Sequence, residues 1–390
     1  MTRNFFEPFD ESLDSHEAGH VAQAREFAQQ TLAPAATSAF NASEAFERSV
    51  ISDWAALGML GLQVDRAAGG KGASYLCKIR VAQELALAGF AAAFCLNNLQ
   101  GIPTRLARHG SPRQVTELLA GLLKGELLTA PAMTEPQGGS DLAALASHVR
   151  RVPGGWLLNG TKAWITNGLI VDWLTLLARV PDGDRNDIAS FLVCCHGDSV
   201  RRTEIPVPGG RSFRLAELEF RDHFVPDWAM LQAPGTAMKA SLESINAARV
   251  HVAAMAVATQ LAALRAALAY GGSRTTFGKA LLEHQGMRWS LADVATRLEA
   301  AHALVHRAAL AVERGGDVTV LAAQAKSFAV SSAIEGVQAC MAAMGATGAS
   351  AAHPLAMHVA EVRLATYADG SGEMLRDRVG RLLPAAYLDT

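Results

Sequence analysis

The sequence predicts a three-part α+β protein in which a β segment lies between two helical segments. Apolar residues three and four apart mark the first third of the chain, short β-prone runs mark the middle, and long alanine-rich helical patterns mark the last third. The length of 390 residues exceeds what one hydrophobic core usually organises. We therefore predict an all-α domain over residues 1–125, a β-domain over 126–232 and a helical bundle over 233–390.

Helical periodicity in the first part is interrupted by glycine and proline. The periodic segments are 22–32, 49–57, 77–96 and 113–123. Gly69, Gly70 and Gly72 break the pattern between two helices, and Gly101 with Pro103 marks a further boundary. This part is therefore expected to contain helices and no sheet.

The middle part alternates β-prone runs with turn residues. The runs cover 156–158, 163–166, 173–180 and 188–195, and turns are predicted at 153–155, 159–160, 181–184 and 208–210. Short strands between closely spaced turns are typical of a small antiparallel β-domain.

The last part contains long helical patterns over residues 237–270, 281–313 and 319–344. Their lengths suit a four-helix bundle with short connections. The patterns are apolar on more than one face, and such faces must be covered by another surface. We therefore expect a homo-oligomer, either a dimer or a tetramer.

Composition argues against nucleic-acid binding and against a membrane span. The formal net charge is −2, and no long run of lysine or arginine is present. The chain starts with acids and a proline, where a signal peptide needs a basic end and an apolar run. The longest apolar stretch, residues 85–96, is shorter than the roughly 20 residues that span a bilayer. We expect a soluble, cytoplasmic protein.

The five cysteines show no metal-ligand spacing, so the sequence predicts no metal site and a reducing compartment. They are Cys77, Cys95, Cys194, Cys195 and Cys340. The adjacent pair Cys194 and Cys195 lies in an apolar run, which favours core residues, with a redox pair as the alternative.

Three motifs occur in order along the chain. Residues 132–141 read AMTEPQGGSD, residues 158–168 read LNGTKAWITNG, and residues 274–285 read RTTFGKALLEHQ. Together they resemble the signature segments of the acyl-CoA dehydrogenase family, including its flavin-contacting helix start. The resemblance implies the fold of that family, noncovalent FAD and an acyl-CoA substrate oxidised at its Cα–Cβ bond. It also implies an electron-transferring flavoprotein as the electron acceptor.

The resemblance assigns residues of this chain to the cofactor. The implied FAD contacts are Met133, Thr134, Gly139, Ser140, Trp164, Thr166, Arg274, Thr276, Phe277, Leu281, Gln285, Gly345, Ser371 and Glu373. In the family the third motif contacts the FAD of a neighbouring subunit. The glutamine expected shortly before the glycine turn is Ala342 here, which predicts weaker FAD binding.

The first motif also suits a flavin on physical grounds. Gly138 and Gly139 let backbone amides approach a ligand closely, while Thr134 and Ser140 offer hydroxyls. The alternative is an ordinary loop between a helix and a strand.

In the second motif, Trp164 and Thr166 lie two apart on a predicted strand, so both side chains should point to one face. A flat indole beside a hydroxyl suits an isoalloxazine ring, and the resemblance places Thr166 at the flavin N5 edge. The alternative for Trp164 is a core residue. Arg274 of the third motif suits pyrophosphate, with a solvated surface arginine as its alternative.

The resemblance also implies a set of substrate contacts. They are Ser140, Asn246, Arg249, Ala368, Asp369 and Gly370. Arg249 matches an arginine near the CoA chain. Asn246 stands where the family often has an acid, and it keeps hydrogen bonding while losing the charge.

Residues 367–376 read YADGSGEMLR and resemble the loop that carries the catalytic carboxylate. Asp369 stands where the family usually has glutamate, and Ala248 occupies the other family position for the base, where it cannot accept a proton. Aspartate is one methylene shorter, and Ala368 replaces an aromatic residue. We therefore predict a branched or alicyclic acyl group. The alternative is that Asp369 only caps the turn before the last helix.

Three other functions fit the same motifs. A nitroalkane-oxidase-like flavin oxidase would use Asp369 on a small carbon acid, with oxygen as the acceptor. A catalytically weak flavin-binding homologue would follow from Ala342 and the shortened base. In the third function, the enzyme would act on an acyl thioester that is attached to a carrier protein instead of CoA.

Overall fold

The computed structural model of the chain describes residues 4–180 and 187–388. The predicted turn at 181–184 and the first three residues of the acidic start lie outside the described residues. The predicted order of a helical, a β and a second helical region is confirmed. Helices run as far as Leu123, strands follow from Thr129 to Gln232, and helices resume at Ala237.

The first region is a helical layer whose helices begin at polar caps. The Asp14 side chain accepts a hydrogen bond from the backbone N–H of Glu17 and forms a capping box with it, and Ser74 caps the helix that follows residues 69–72. Short π-helical turns at Ala28–Leu32 and Val115–Leu119 join neighbouring helices. The helices are α1 Glu7–Asp10, α2 Ser15–Phe27, α3 Ala33–Ala42, α4 Arg48–Ala56, α5 Tyr75–Ala88, α6 Phe90–Asn98, α7 Gly101–His109, α8 Pro112–Gln114 and α9 Ala120–Leu123.

The predicted single helix over residues 77–96 is two helices, because the chain is extended at Gly89. The break exposes the first backbone N–H groups of α6. The N–H of Ala91 donates to the buried carboxyl of Glu361 at 2.9 Å, so the last region closes the end of a helix in the first. Periodicity alone does not report a partner 270 residues away.

The middle region is an eight-stranded sheet with the order β6-β7-β3-β2-β4-β5-β8 and β1 beside β4. Its strands are β1 Thr129–Ala132, β2 His148–Val152, β3 Gly155–Ile165, β4 Trp173–Arg179, β5 Ile188–Cys194, β6 Val200–Glu204, β7 Ala216–Pro226 and β8 Met230–Gln232. Most pairs are antiparallel, as predicted, but β1 runs parallel to β4, and β2 also meets β4 in parallel. The sheet is therefore mixed.

The predicted runs 156–158 and 163–166 are one strand, β3, which ends at Ile165. The turn predicted at 159–160 is an irregularity inside that strand. The register against β7 shifts between Leu158 and Gly160, and Gly160 has φ +141, which suits glycine. A bulge and a turn share the same residue types, which explains the wrong boundary.

The last region is a helical bundle with one short hairpin. Its helices are α10 Ala237–Ser273, α11 Gln285–Glu313, α12 Thr319–Ala343, α13 Leu355–Val362 and α14 Gly372–Tyr387, and the hairpin strands are β9 Thr275–Thr276 and β10 Lys279–Ala280. Helices α10, α11 and α12 pack on one another, α14 packs on α12, and α10 also packs on α5 of the first region.

Helix α10 is the central helix of the protein. Within the described ranges it is the one helix long and apolar enough, by length and composition, to cross a bilayer. In its most apolar window 72% of the residues are buried inside the protein, which fits a core helix.

Candidate active site

A cavity of about 1070 Å³ lies where the three regions meet. Its walls come from α5 to α7, from strands β1, β4 and β5, from α10, and from the loop that precedes α14. Met133, Ala248 and Asp369 all line it. The sequence-predicted base and part of the first motif therefore face one space.

The loop over residues 366–370 is held by two cations that reach it from the bundle. Lys326 on α12 donates to the backbone oxygens of Thr366 at 3.0 Å and Gly370 at 2.5 Å. The Nε of Arg249 on α10 donates to the backbone oxygen of Asp369 at 2.9 Å. Both cations are buried, so the loop is fixed by charge-assisted hydrogen bonds out of bulk water.

Asp369 itself has the left-handed φ of +54 that aspartate tolerates better than most residues. Its carboxylate accepts no hydrogen bond from any residue in the described ranges. Burial raises the pKa of Asp369, while the charges of Lys326 and Arg249 act in the opposite direction. The side chain is a carboxylate on the wall of a cavity, with no hydrogen-bond partner among the described residues.

The alternative in which Asp369 only caps the turn before the last helix is wrong, because its carboxylate accepts no hydrogen bond from the described residues. The N-cap of α14 is Ser371, whose side chain accepts from the backbone N–H of Met374 at 3.4 Å. This capping leaves the Asp369 side chain two residues outside the helix. It also gives Ser371, predicted as a cofactor contact, a role within the chain.

Asn246 and Arg249 lie one turn apart on α10, and the Nη1 of Arg249 donates to the Asn246 side-chain oxygen at 2.8 Å. Asn246 thus keeps a hydrogen bond at this position, and its partner is Arg249. Arg249 is buried against the backbone of residues 369–370, and a Cβ at Gly370 would lie 3.4 Å from its Nη2. Within the chain, Arg249 therefore contacts the loop that carries the predicted base.

The first two motifs are joined by a buried ion pair. The Nζ of Lys162 on β3 lies 2.6 Å from a carboxylate oxygen of Glu135, and both side chains are buried. Glu135 also accepts from the backbone N–H groups of Ala146 and Ser147 at 2.6 and 3.0 Å. Burial favours the neutral acid, but these donors lower the pKa of Glu135 to about 2.

The segment 134–140 that this ion pair anchors has open space above its glycines. A Cβ on Gly138 or Gly139 would meet its nearest atom only at 3.7 or 3.5 Å, so packing within the chain does not require glycine there. Ser140 is exposed and Thr134 is half-buried. A large ligand lying against this backbone would require the glycines, which fits the FAD implied by the resemblance.

The prediction that Trp164 and Thr166 share one face of a strand is wrong. Strand β3 ends at Ile165, Trp164 has φ +60, and the register against β7 shifts between Lys162 and Ile165. Two-residue alternation does not hold through such a bulge. Trp164 is 55% exposed, so the alternative of a core residue is also wrong. An exposed indole fits a face that receives a flat ligand.

The third motif is not a helix start but a hairpin followed by a helical turn. Thr276 lies in β9, Leu281 begins a 3₁₀ turn, and only Gln285 stands at the start of α11. Phe277, at the hairpin tip, is 97% exposed with φ +50. Arg274 is exposed, and its guanidinium makes no hydrogen bond or ion pair with the part of the chain that the structure describes.

The remaining predicted cofactor contacts lie at helix ends. Gly345 follows α12 with φ +61 and open space around it, and Glu373 is exposed in the first turn of α14. Ala342 is exposed near Gly345.

All five cysteines are free, and burial raises the pKa of the Cys195 thiol to about 12, which fits a core residue.

Sequence reasoning missed the buried cations of the site. Lys162, Lys326 and Lys78 are buried, and Lys78 also lines the cavity. Each lies in a largely apolar stretch, which is the signal that could have found it. A lone lysine in such a stretch must leave the core or find a hydrogen-bond acceptor, a counter-charge or a ligand there.

Three family matches cover most of the chain. Residues 16–126 match the acyl-CoA dehydrogenase N-terminal domain, residues 130–223 the middle domain and residues 237–383 the C-terminal domain. The matched stretches coincide with the helical, β and helical regions of the structure.

Individual proteins align over nearly the whole chain. Benzylmalonyl-CoA dehydrogenase of Aromatoleum aromaticum is 33% identical over 90% of this chain and 93% of its own. A chain in the solved structure of the electron transferring flavoprotein of Acidaminococcus fermentans superposes with a TM-score of 0.90 at 27% identity, over 97% of this chain and 99% of that one. A glutaryl-CoA dehydrogenase from Mycobacterium smegmatis in complex with FADH2 gives 0.88 at 25% identity, over 96% of both chains.

The Glu135–Lys162 pair is expected to stabilise the fold measurably. Glu135→Gln leaves the Lys162 ammonium buried without a carboxylate and should lower the free energy of unfolding by about 3–5 kcal/mol in urea denaturation. The double variant with Lys162→Met should recover most of this loss. Because the pKa of Glu135 is lowered, the contribution is full above about pH 4.5 and is lost as the pH falls towards about 2. Equal stability of wild type and Glu135→Gln at pH 7 would contradict this account.

Proposed function

This chain belongs to the acyl-CoA dehydrogenase family, and we propose that it oxidises an acyl-CoA at the Cα–Cβ bond with Asp369 as the base. The enzyme is an oxidoreductase of the FAD-dependent kind. The observation that carries the proposal is the Asp369 carboxylate, which lines the central cavity and accepts no hydrogen bond from the described residues. A base must be free to accept a proton from its substrate.

FAD, when bound, supplies the acceptor for the hydride that leaves Cβ with its bonding electron pair. The protein supplies the other half of the reaction, because the proton lost from Cα goes to a carboxylate oxygen of Asp369. Arg249 and Lys326 bond the backbone of the loop rather than this carboxylate, so they position the base without occupying it. The backbone N–H of Asp369, which donates to no described residue, is available to the thioester oxygen.

The acyl group is proposed to be branched or alicyclic. Aspartate is shorter than glutamate, and its neighbour Ala368 is a small, half-buried residue. Together they leave more room beside the reacting carbons than a glutamate with an aromatic neighbour would leave. Benzylmalonyl-CoA dehydrogenase, whose name specifies a substituted acyl group, supports this reading.

The third motif is proposed to meet a second copy of the chain. An apolar ring as exposed as Phe277 is costly in water, and Trp289 near the start of α11 is also exposed. Arg274, three residues before Phe277, offers a guanidinium that pairs with none of the described residues, which suits the pyrophosphate of an FAD held by the partner copy. We propose a homo-oligomer on this basis. The family implies an electron-transferring flavoprotein as the electron acceptor.

Replacing the base tests the assignment directly. Asp369→Asn should slow anaerobic flavin reduction by acyl-CoA about a hundredfold to ten-thousandfold, because the amide cannot accept the α-proton. Asp377→Asn on the exposed face of α14 is the matched control and should leave the rate unchanged. Asp369→Glu should shift preference from cyclohexanecarboxyl-CoA towards hexanoyl-CoA. Wild-type reduction rates in the Asp369→Asn variant would refute the assignment.

The rate of flavin reduction should depend on pH through Asp369. Only the carboxylate accepts a proton, and burial raises its pKa. The rate should therefore fall as the pH decreases through this raised pKa, at a pH higher than the roughly 3.9 of a free aspartate. Rapid-mixing measurements of flavin absorbance across pH provide the profile. A rate that stays constant down to about pH 4 would contradict it.

Phe277→Ala should weaken FAD retention in the oligomer about tenfold, because the ring no longer covers the cofactor of the partner copy. The flavin-to-protein absorbance ratio after gel filtration measures retention, and light scattering measures the assembly. Phe224→Ala, which removes another exposed ring from β7, is the control. Equal flavin content in both variants would count against the hairpin as a cofactor contact.

A further inference from the structure

Lys78 on α5 is a buried cation with no counter-charge among the described residues. Its side chain lines the central cavity, and the residue is only 5% exposed. Among residues 4–180 and 187–388, none forms a hydrogen bond or an ion pair with its ammonium group. The charge of Arg108, which has the same sign, acts on it. Burial and this repulsion lower the pKa of Lys78 to about 8.

A second cation lies in the same wall. Arg105 on α7 lines the cavity, and its Nη2 is buried with no hydrogen-bond partner in the described structure. Burial lowers the pKa of Arg105 as well. Arg108, one turn further along α7, also lines the cavity but is exposed. Lys78 therefore lies close enough to Arg108 for their charges to interact, and Arg105 lines the same cavity one turn before Arg108 on α7.

The carboxylates of Glu313, Glu17 and Asp369 also line the cavity, and none of them pairs with Lys78. Glu313 accepts from the backbone N–H groups of Tyr75 and Leu76 at 2.8 and 3.2 Å, and Glu17 accepts from that of Ser74 at 2.7 Å. Asp369 interacts with Lys326 and Arg249 and has no charge interaction with Lys78. The cationic wall and the proposed base therefore lie at separate places in one cavity.

An unpaired buried ammonium is costly to a folded protein, since burial removes its hydration and supplies nothing in return. Burial lowers the pKa of the neighbouring His251, and the charge of Lys78 lowers it further. The His251 ring packs on Tyr75 at 4.9 Å between centroids. No described contact within the chain accounts for the lysine at this position. A ligand that brings an anion into the cavity would account for it.

We infer that the acyl group carries a carboxylate or a similar small anion at the end away from the thioester, held by Lys78 in the cavity that Arg105 and Arg108 of α7 also line. The inference rests on the proposed function, which puts the thioester end of the acyl group beside Asp369. The phosphates of CoA share the anionic chemistry. They are larger and strongly hydrated, so a site as buried as that of Lys78 favours an anion delivered on the acyl chain.

The test compares hexanoyl-CoA with adipoyl-CoA, which has the same chain length and a terminal carboxylate. Calorimetry on the FAD-loaded protein gives the dissociation constants, and anaerobic flavin absorbance gives reduction. The wild-type protein should bind adipoyl-CoA about tenfold to a hundredfold more tightly than hexanoyl-CoA. Lys78→Met should abolish this preference, whereas Lys124→Met, which removes an exposed lysine, should keep it.

A stability measurement shows that the variant remains folded. Lys78→Met removes an uncompensated buried charge, so its thermal midpoint without substrate should equal or exceed that of the wild type. Equal wild-type affinity for the two acyl-CoAs would overturn the inference. An equal loss of affinity for both acyl-CoAs in Lys78→Met would also overturn it, because that result would assign the lysine to the CoA phosphates. Failure of every acyl-CoA to reduce the flavin would instead refute the proposed function, and the calorimetric comparison would still decide the role of Lys78.

Discussion

The candidate site depends on how two buried cations hold a loop by its backbone. Arg249 and Lys326 donate to the carbonyl oxygens of residues 366, 369 and 370 and leave the Asp369 carboxylate without a protein partner. Had either cation paired with the carboxylate, the acid would have been a structural counter-ion instead of a free base. Charge-assisted bonds to carbonyl oxygens also compensate the cost of burying the cations. The shape of the loop and the availability of the proposed base thus have the same cause.

In the first motif, residues 132–141, the carboxylate itself is bonded instead of left free. There a carboxylate, Glu135, is fully engaged by Lys162 and two backbone N–H groups, and its side chain cannot serve as a base. Its effect is to tie the glycine-containing segment to β3, with the backbone oxygen of Thr134 accepting from Ala163. One acid is therefore structural and the other is free, and the difference lies in the donors around each one.

The central cavity is polar at two separate places. Asp369 marks one, and Lys78, whose charge interacts with that of Arg108, marks the other, where no carboxylate of the described chain pairs with the lysine. Natural proteins retain destabilising features of this kind where binding requires them. A substrate anchored at both ends is also oriented at its reacting carbons, and orientation is a large part of what an enzyme provides.

The sequence by itself determined the order of helical and β regions, the family and the loop that carries Asp369. Hydrophobic periodicity and short motifs are local, and local patterns survive in any correct fold. The tertiary structure alone decided which charges meet. Glu135 and Lys162 are 27 residues apart, and Arg249 and Asp369 are 120 apart. It also decided that β3 continues through Gly160, that Trp164 lies in a bulge and that Phe277 tips a hairpin, because strand irregularities follow from pairing with distant strands. Whether a buried lysine has a partner depends on the packing of the whole chain, so Lys78 became informative only in the folded protein.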